Sequence, residues 1–139
     1  MKSYLKVLLG GILFLAVVAV GTGIYFYNLK PQDLRKVKPD YIITSSELLK
    51  EFESDEVSAT TKYTNKILEV TGEIFSVEET GTGSYNISLQ TGSDFSKVIC
   101  TFPSIDTPSA FETGKIITLR GECSGFLMDV LLNNCKIVL

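Results

Sequence analysis

Three cysteines, Cys100, Cys123 and Cys135, are the side chains of this sequence with the most direct chemistry. They lie far apart with no Cys-x-x-Cys pair, so one chain cannot supply a four-thiolate metal site. At most one intrachain disulfide can form, and the sequence does not choose among the three pairings. Three buried thiols fit the spacing as well as one disulfide does, and both interpretations therefore stay open.

Histidine is absent from the whole sequence. Its absence excludes Ser-His-Asp and Cys-His nucleophiles, His-containing zinc sites and His-based pH switches. Carboxylates are abundant, but nothing in the sequence places two of them across a cleft, as a glycosidase requires. Gly81-Thr82-Gly83 joins two predicted strands instead of opening a helix, which indicates a hairpin turn and not a phosphate cradle. We therefore predict no catalytic residue, no cofactor and no metal, and a protein that is not an enzyme.

Charge is distributed unevenly along the 139 residues. Residues 1–39 carry six basic side chains and one acidic one, whereas residues 40–139 carry 7 basic and 15 acidic ones, a balance of −8. Nucleic-acid binding draws most of its affinity from lysine and arginine side chains that neutralise phosphates. The acidic balance of the second region argues against nucleic acid as the partner.

An uncharged apolar segment extends from Val7 to Tyr27. A helix of about 20 residues spans a hydrocarbon core about 30 Å thick, and tyrosines and lysines border both ends of this one, as at a membrane interface. We predict an N-terminal tail over residues 1–6 and a transmembrane anchor over residues 7–27. The competing interpretation is a signal peptide cleaved after Ala19-Val20-Gly21.

The region after the anchor changes composition twice. Residues 28–43 contain Pro31 and Pro39 among alternating charges, which is typical of an extended stalk. Thr44 and Glu47 then form a capping box, in which their side chains satisfy free backbone amides at the start of a helix. We predict a leading helix over residues 45–63 with one face packed on the domain. The apolar positions of that face are Leu48, Leu49, Phe52, Ala59 and Tyr63.

After this helix the apolar period changes from 3.6 to 2. The segment from Ile67 to Val77 alternates with an interruption at Gly72 and a phase shift after Phe75, which predicts one long bent strand. A hairpin to a strand over residues 85–90 follows, then strands over residues 97–102, 115–125 and 128–139, with a connector over residues 103–114. The predicted inward positions are Leu68, Val70, Ile74, Tyr85, Ile87, Leu89, Val98, Cys100, Phe102, Ile117, Leu119, Cys123, Val130, Leu132, Cys135, Ile137 and Leu139.

A long bent strand followed by four shorter ones is typical of a small closed barrel, because the bent strand can pair in both sheets. The sequence therefore predicts a mainly β protein with one N-terminal helix in its domain. The predicted architecture is a five-stranded OB-fold barrel over residues 44–139, preceded by a single transmembrane helix.

Three segments within about residues 44–139 carry a resemblance to a known family: SSELLKEFESDEVSATTKYTNKILEVTGEI, VICTF and GKIITLRGECSGFLMDVLLNNCKIV. The resemblance is to the tRNA_anti-like family of small bacterial OB-fold proteins, which are membrane-attached or exported and occur largely in Bacteroidetes. It implies an OB-type barrel, and it supplies no established activity or catalytic residue.

Membrane orientation follows from the short N-terminal tail. Positive charges flank both ends of the anchor, so the charge rule is nearly balanced. A short tail favours export of the domain that follows, and a small domain with three cysteines is compatible with an oxidising compartment. We predict a single-pass protein of the bacterial inner membrane with a periplasmic domain.

OB-folds bind single-stranded nucleic acids on the face of their second and third strands, with aromatic platforms and basic grooves. The outward positions of those strands here have no aromatic residue and one positive charge, Lys97. We expect a membrane-anchored, non-enzymatic interaction module for a protein, glycan or small ligand of the cell envelope. A single-stranded nucleic-acid-binding domain is the alternative, and the candidate binding residues are Asn86, Ser88, Gln90, Ile99 and Thr101.

Overall fold

The computed structural model describes residues 1–29, 32–81, 83–103 and 111–138. Contacts divide the chain into two units, residues 1–31 and residues 32–139. Several predicted features fall outside the described residues: Lys30 beside the anchor, Pro31 in the stalk, Thr82 in the hairpin turn, residues 104–110 of the connector, and Leu139.

The described chain contains three α-helices and six β-strands. The helices are α1 (Lys2–Tyr27), α2 (Ser45–Ser54) and α3 (Glu56–Tyr63). The strands are β1 (Tyr41–Thr44), β2 (Ile67–Thr80), β3 (Ser84–Leu89), β4 (Val98–Phe102), β5 (Ile116–Leu127) and β6 (Asp129–Ile137).

Helix α1 forms the first unit and buries none of its residues. Its 26 residues include the predicted anchor and begin inside the predicted tail. Its length and its mean hydropathy of 2.5 are sufficient for a helix that crosses a membrane. The hydroxyl of Thr22 donates to the carbonyl oxygen of Val18 at 2.7 Å, so this polar side chain is satisfied within the apolar helix.

The predicted single helix over residues 45–63 is two helices in the structure. The capping box at its start is confirmed: Glu47 N donates to the Thr44 hydroxyl and the Glu47 carboxylate accepts from Thr44 N. Asp55 separates the helices, because it ends α2 and its carboxylate accepts from the backbone of Ser58 as the N-cap of α3. All five predicted apolar positions are buried, so both helices pack the expected face on the barrel.

Strands β2 to β6 close a five-stranded barrel in the order β2-β3-β4-β6-β5, with β5 returning to β2. Strands β4 and β6 are parallel, and the other barrel neighbours are antiparallel. Strand β2 pairs with β5 through its first half and with β3 through its second half. A long first strand that pairs with one neighbour through its first half and with another through its second half is the arrangement expected of an OB-fold, and the predicted fold is confirmed.

Strand β2 has two special positions, a close approach of its backbone to α2 and β3 at Gly72 and a bulge at Phe75. A Cβ atom at Gly72 would lie 2.5 Å from the Ser45 hydroxyl oxygen and 3.2 Å from Cβ of Leu89, so only glycine fits between α2 and β3. The register of β2 against β3 shifts between Ile74 and Ser76. The two positions coincide with the interruption and the phase shift in the sequence pattern.

The core fills the inside of the barrel and the space under α2 and α3. Every predicted inward position among the described residues is buried or packs against the core. On β6 the register against β5 shifts beside Asn134, which has a φ of 51°. This irregularity allows Leu132 and Cys135 to be buried together although they are three residues apart.

The predicted stalk over residues 28–43 differs in the structure, because most of it belongs to the second unit. Residues 34–36 form a 3₁₀ turn that buries Leu34. Strand β1 pairs in parallel with the first half of β2. A four-residue strand that depends on a distant partner leaves no periodicity in the sequence, and the neighbouring prolines and charges indicated an extended segment instead.

Arg120 on β5 fixes this segment to the barrel. Its guanidinium donates to the carbonyl oxygens of Arg35 and Val37 at 3.0 and 2.8 Å. The same side chain forms an ion pair with Glu69 on β2 at 2.8 Å, with both side chains less than one fifth exposed. Because its guanidinium makes several hydrogen bonds at once, the Arg120 side chain is held in one orientation.

Candidate binding face

Four of the five candidate binding residues lie together on the outward side of β3 and β4. The antiparallel register places Asn86 opposite Thr101 and Ser88 opposite Ile99. All four side chains are half-buried, whereas the residues between them along each strand are buried in the core. The alternation of the two strands therefore forms the predicted face.

One pair on this face is joined by a hydrogen bond. The Thr101 hydroxyl donates to the side-chain oxygen of Asn86 at 3.0 Å. This contact orients the amide, so that its nitrogen, a donor, points away from Thr101. The pair presents a hydroxyl and an amide in a fixed arrangement.

Gln90, the fifth candidate, lies just beyond the end of β3 and not within the face. Its backbone nitrogen donates to the carbonyl oxygen of Glu73 at 2.8 Å. Its carbonyl oxygen accepts a short hydrogen bond from the buried hydroxyl of Ser45. The backbone of Gln90 thus joins β3 to β2 and α2.

Lys97, the expected positive charge, precedes β4 and is held by several contacts. Its backbone nitrogen donates to the Asp129 carboxylate at 2.7 Å. Its ammonium group donates to the carbonyl oxygen of Ser93 and lies 4.8 Å from the centroid of the Phe75 ring. The charge is therefore already engaged by a carbonyl and an aromatic ring.

Phe75 also lies in this region, although it was not among the predicted binding residues. It sits at the β2 bulge beside Ser88, and 48% of its surface is exposed. The phase shift after Phe75 was visible in the sequence, but a bulge can turn a side chain either way. The candidate face consequently has one aromatic ring at its margin, contributed by β2.

The neighbouring strands extend the face on both sides. Strand register places Ser76 of β2 beside Ser88, and Leu131 of β6 beside Ile99. With strands about 4.8 Å apart, this row of four side chains is about 14 Å wide. The row carries no charge, and the next row adds one carboxylate, Glu78, beside Asn86.

The three cysteines lie inside the barrel and not on this face. All three are buried and unbridged in the structure. Burial raises the pKa of the Cys100 thiol, with a further contribution from neighbouring Cys135, and burial also raises the pKa of Cys123. Thiols of raised pKa are poor nucleophiles and metal ligands. Within the described ranges, no group of three or more Cys, Asp or Glu side chains is placed to hold a metal ion.

A groove lies outside the barrel, between β1 and the helices α2 and α3. It has a volume of about 670 Å³. The Glu51 carboxylate in it accepts hydrogen bonds from the Lys62 ammonium at 2.9 Å and the Tyr63 hydroxyl at 2.7 Å. These two bonds lower the pKa of Glu51, and the Lys62 ammonium also lies over the rings of Tyr63 and Tyr41.

The fold is similar to that of a solved protein from Klebsiella pneumoniae subsp. pneumoniae MGH 78578. That protein is named a "putative nucleic acid-binding lipoprotein". The similarity has a TM-score of 0.60 and 19% sequence identity, and it covers 79% of this chain and 100% of the other. At this identity it shows the fold alone. No curated protein matches the chain.

The tRNA_anti-like family matches residues 1–137 of this chain. The resemblance noted in the sequence is therefore confirmed. The match is also longer than the resemblance, since it includes α1 and the segment that leads to β1. The chain belongs to the tRNA_anti-like family.

Proposed function

We propose that this chain is a membrane-anchored binding module of the bacterial cell envelope, without enzymatic activity, that binds an uncharged polar ligand on the face of β3 and β4. A glycan is the ligand class that this face fits best. The observation that carries the proposal is a row of neutral side chains about 14 Å wide, with the fixed Asn86–Thr101 pair beside it and the Phe75 ring at its margin.

Hydroxyl and amide groups exchange hydrogen bonds with sugar hydroxyls, and an exposed ring packs on the C–H face of a sugar. The equivalent face of other OB-folds binds oligosaccharides as well as oligonucleotides. A polyanion fits less well, because Lys97 is already engaged and residues 40–139 have a charge balance of −8.

Single-stranded nucleic acid is the second candidate, and one observation favours it. The exposed Phe75 ring with the Lys97 ammonium above it combines an aromatic platform with a positive charge. Such platforms stack bases without regard to sequence. The name of the similar Klebsiella protein agrees with this alternative.

One titration separates the two ligands. The full ¹⁵N-labelled chain in detergent would be titrated with neutral hexasaccharides of glucose and N-acetylglucosamine, and with a dT20 oligonucleotide at about 0.15 M salt. We expect a hexasaccharide to shift the amide signals of Ser88 and Thr101, and dT20 to leave them unchanged. Micromolar binding of dT20 that weakens steeply with salt would instead establish the second candidate. No shift with any hexasaccharide would contradict a glycan ligand.

The membrane part of the proposal rests on the length and composition of α1. A cleaved signal sequence has the same properties, so location and processing are measured together. A reporter that is active only after export would be fused after Leu139. We expect an active reporter and an uncleaved chain in the membrane fraction. A shortened soluble product would contradict the anchor, and an inactive reporter would place the domain in the cytoplasm.

A further inference from the structure

Strand β1 is the open edge of an otherwise closed sheet. Each strand of the barrel has a partner on both sides, whereas β1 pairs only with β2 within the described part of the chain. Asp40 N donates to the carbonyl oxygen of Ile67 at 2.8 Å, which shows that this residue faces β2. Because backbone groups alternate along a strand, those of Tyr41 and Ile43 face the open edge.

The edge of β1 lacks most of the features that usually protect such strands. Proteins protect edges with lysines, prolines, bulges or very short strands. The sequence of β1 is Tyr-Ile-Ile-Thr, with no charge or proline, and its register is regular over all four residues. Ile42 is 73% exposed. Shortness is the one form of protection that β1 has.

The groove between β1 and the helices α2 and α3 runs beside this edge. Its strand side is lined by Tyr41, Ile42 and Ile43, so every apolar residue of β1 contributes to it. Its length suits an extended segment of a few residues, since the four-residue strand β1 is about 13 Å long. A chain laid there would contact both the open backbone edge and an apolar wall.

The helix side of this surface is acidic. Three carboxylates, those of Glu47, Glu51 and Asp55, line it together with two lysines. Lys62 and Glu51 neutralise each other in an ion pair at 2.9 Å, which leaves the carboxylates of Glu47 and Asp55 against Lys50 and a net charge of −1. The surrounding region, residues 40–139, has a balance of −8. A positively charged chain is therefore the complementary occupant.

We propose that β1 accepts an additional strand from an extended, positively charged segment of a partner protein. The added strand forms main-chain hydrogen bonds with Tyr41 and Ile43, and its alternate side chains contact Ile42 and the acidic helix side. This surface shares no residue with the face of β3 and β4, and the proposal is independent of what that face binds.

The test uses the full ¹⁵N-labelled chain in detergent and a fluorescent heptapeptide of alternating lysine and valine. We expect saturable binding, shifted amide signals and slowed hydrogen exchange at Tyr41 and Ile43, and weaker binding when salt rises about tenfold. A heptapeptide of alternating glutamate and valine is the matched probe, and it should not bind. Absence of binding, equal binding of both peptides, or shifts confined to β3 and β4 would overturn the proposal.

A pair of variants provides the protein-side control. Ile42→Lys places a positive charge on the open edge, and we expect at least about tenfold weaker binding of the lysine peptide. Val57→Lys makes the same change at a residue of α3 that is 77% exposed and does not line the groove, and binding should be unchanged. Circular dichroism checks that both variants are folded. Equal loss in the two variants would show a non-specific charge effect and contradict strand addition.

Discussion

The inward and outward sides of the barrel strands differ sharply, although the same strands form both. On the inward side Ile87, Cys100 and Leu132 have no exposed surface. On the outward side their direct neighbours Ser88 and Thr101 are half-buried and polar. Successive side chains of a strand point to opposite faces, so one strand supplies both environments.

The two sides also differ in the free space around their backbone. Inside, a Cβ atom at Gly121 would lie 2.6 Å from the Cys135 sulfur, and one at Gly72 would lie 2.5 Å from the Ser45 hydroxyl. In the hairpin turn outside the barrel, a Cβ atom at Gly81 would meet nothing within 4 Å. We infer that stability depends on the inward side and that the outward side is free to specialise in binding.

The largest expected effect on stability distinguishes two adjacent leucines of β6. Leu132 is fully buried and Leu131 is half-buried on the outward side. We expect Leu132→Ala to lower the free energy of unfolding by about 2–5 kcal/mol, through lost burial and a residual cavity. Leu131→Ala should lower the free energy of unfolding by less than about 1.5 kcal/mol, because a half-buried side chain has less buried area to lose. Chemical denaturation of both variants measures the difference, and equal losses would contradict the assignment of sides.

The next test adds a methyl group at a position of the core that has no free space. Gly121→Ala should lower the free energy of unfolding by about 1–3 kcal/mol, because its new methyl group overlaps the Cys135 sulfur. In a Cys135→Ala background the same change should cost less, since the overlapping atom is gone. Gly81→Ala is the control, with little effect expected. If Gly121→Ala lowered the free energy of unfolding by the same amount in the Cys135→Ala background, the Cys135 sulfur would not be the source of the strain.

Much of the inward side could be predicted because it depends on local alternation. Leu68, Val70 and Ile74 on β2 recur at period 2 with a break at Gly72, and the structure buries all three. Alternation also predicted the outward positions Ser88 and Thr101. These assignments need only the strand itself, so the sequence is sufficient for them.

The features that could not be predicted depend on distant partners. Strand β1 exists because β2 pairs with it, and four residues carry too little pattern to show this. Ser76 and Leu131 join the candidate face only through the register of β2 and β6. The break at Asp55 had a local signal, since Asp is a strong N-cap residue, but the apolar spacing on both sides favoured one continuous helix.

A smaller effect is expected at the margin of the outward side. Phe75→Ala should change the free energy of unfolding by less than about 1.5 kcal/mol, because the ring is half exposed. It should weaken hexasaccharide binding by about tenfold if the ring packs on a sugar. Ile116→Ala, an exposed residue on β5, is the control. Denaturation and titration together distinguish a binding residue from a structural one, and unchanged binding would remove Phe75 from the site.

The smallest effect concerns the acidic groove outside the barrel and its pH dependence. Hydrogen bonds from Lys62 and Tyr63 hold the pKa of Glu51 below its ordinary value. A carboxylate whose pKa is lower in the folded chain adds stability above its unfolded pKa, and this contribution is lost as the pH falls through the folded pKa. The Tm difference between the natural chain and Glu51→Gln should therefore be largest near neutral pH and disappear in acid. Glu53→Gln, a change at an exposed residue on the same helix, should show no such trend. A Tm gap of constant size at every pH would mean that Glu51 stabilises the groove by packing and not through its charge.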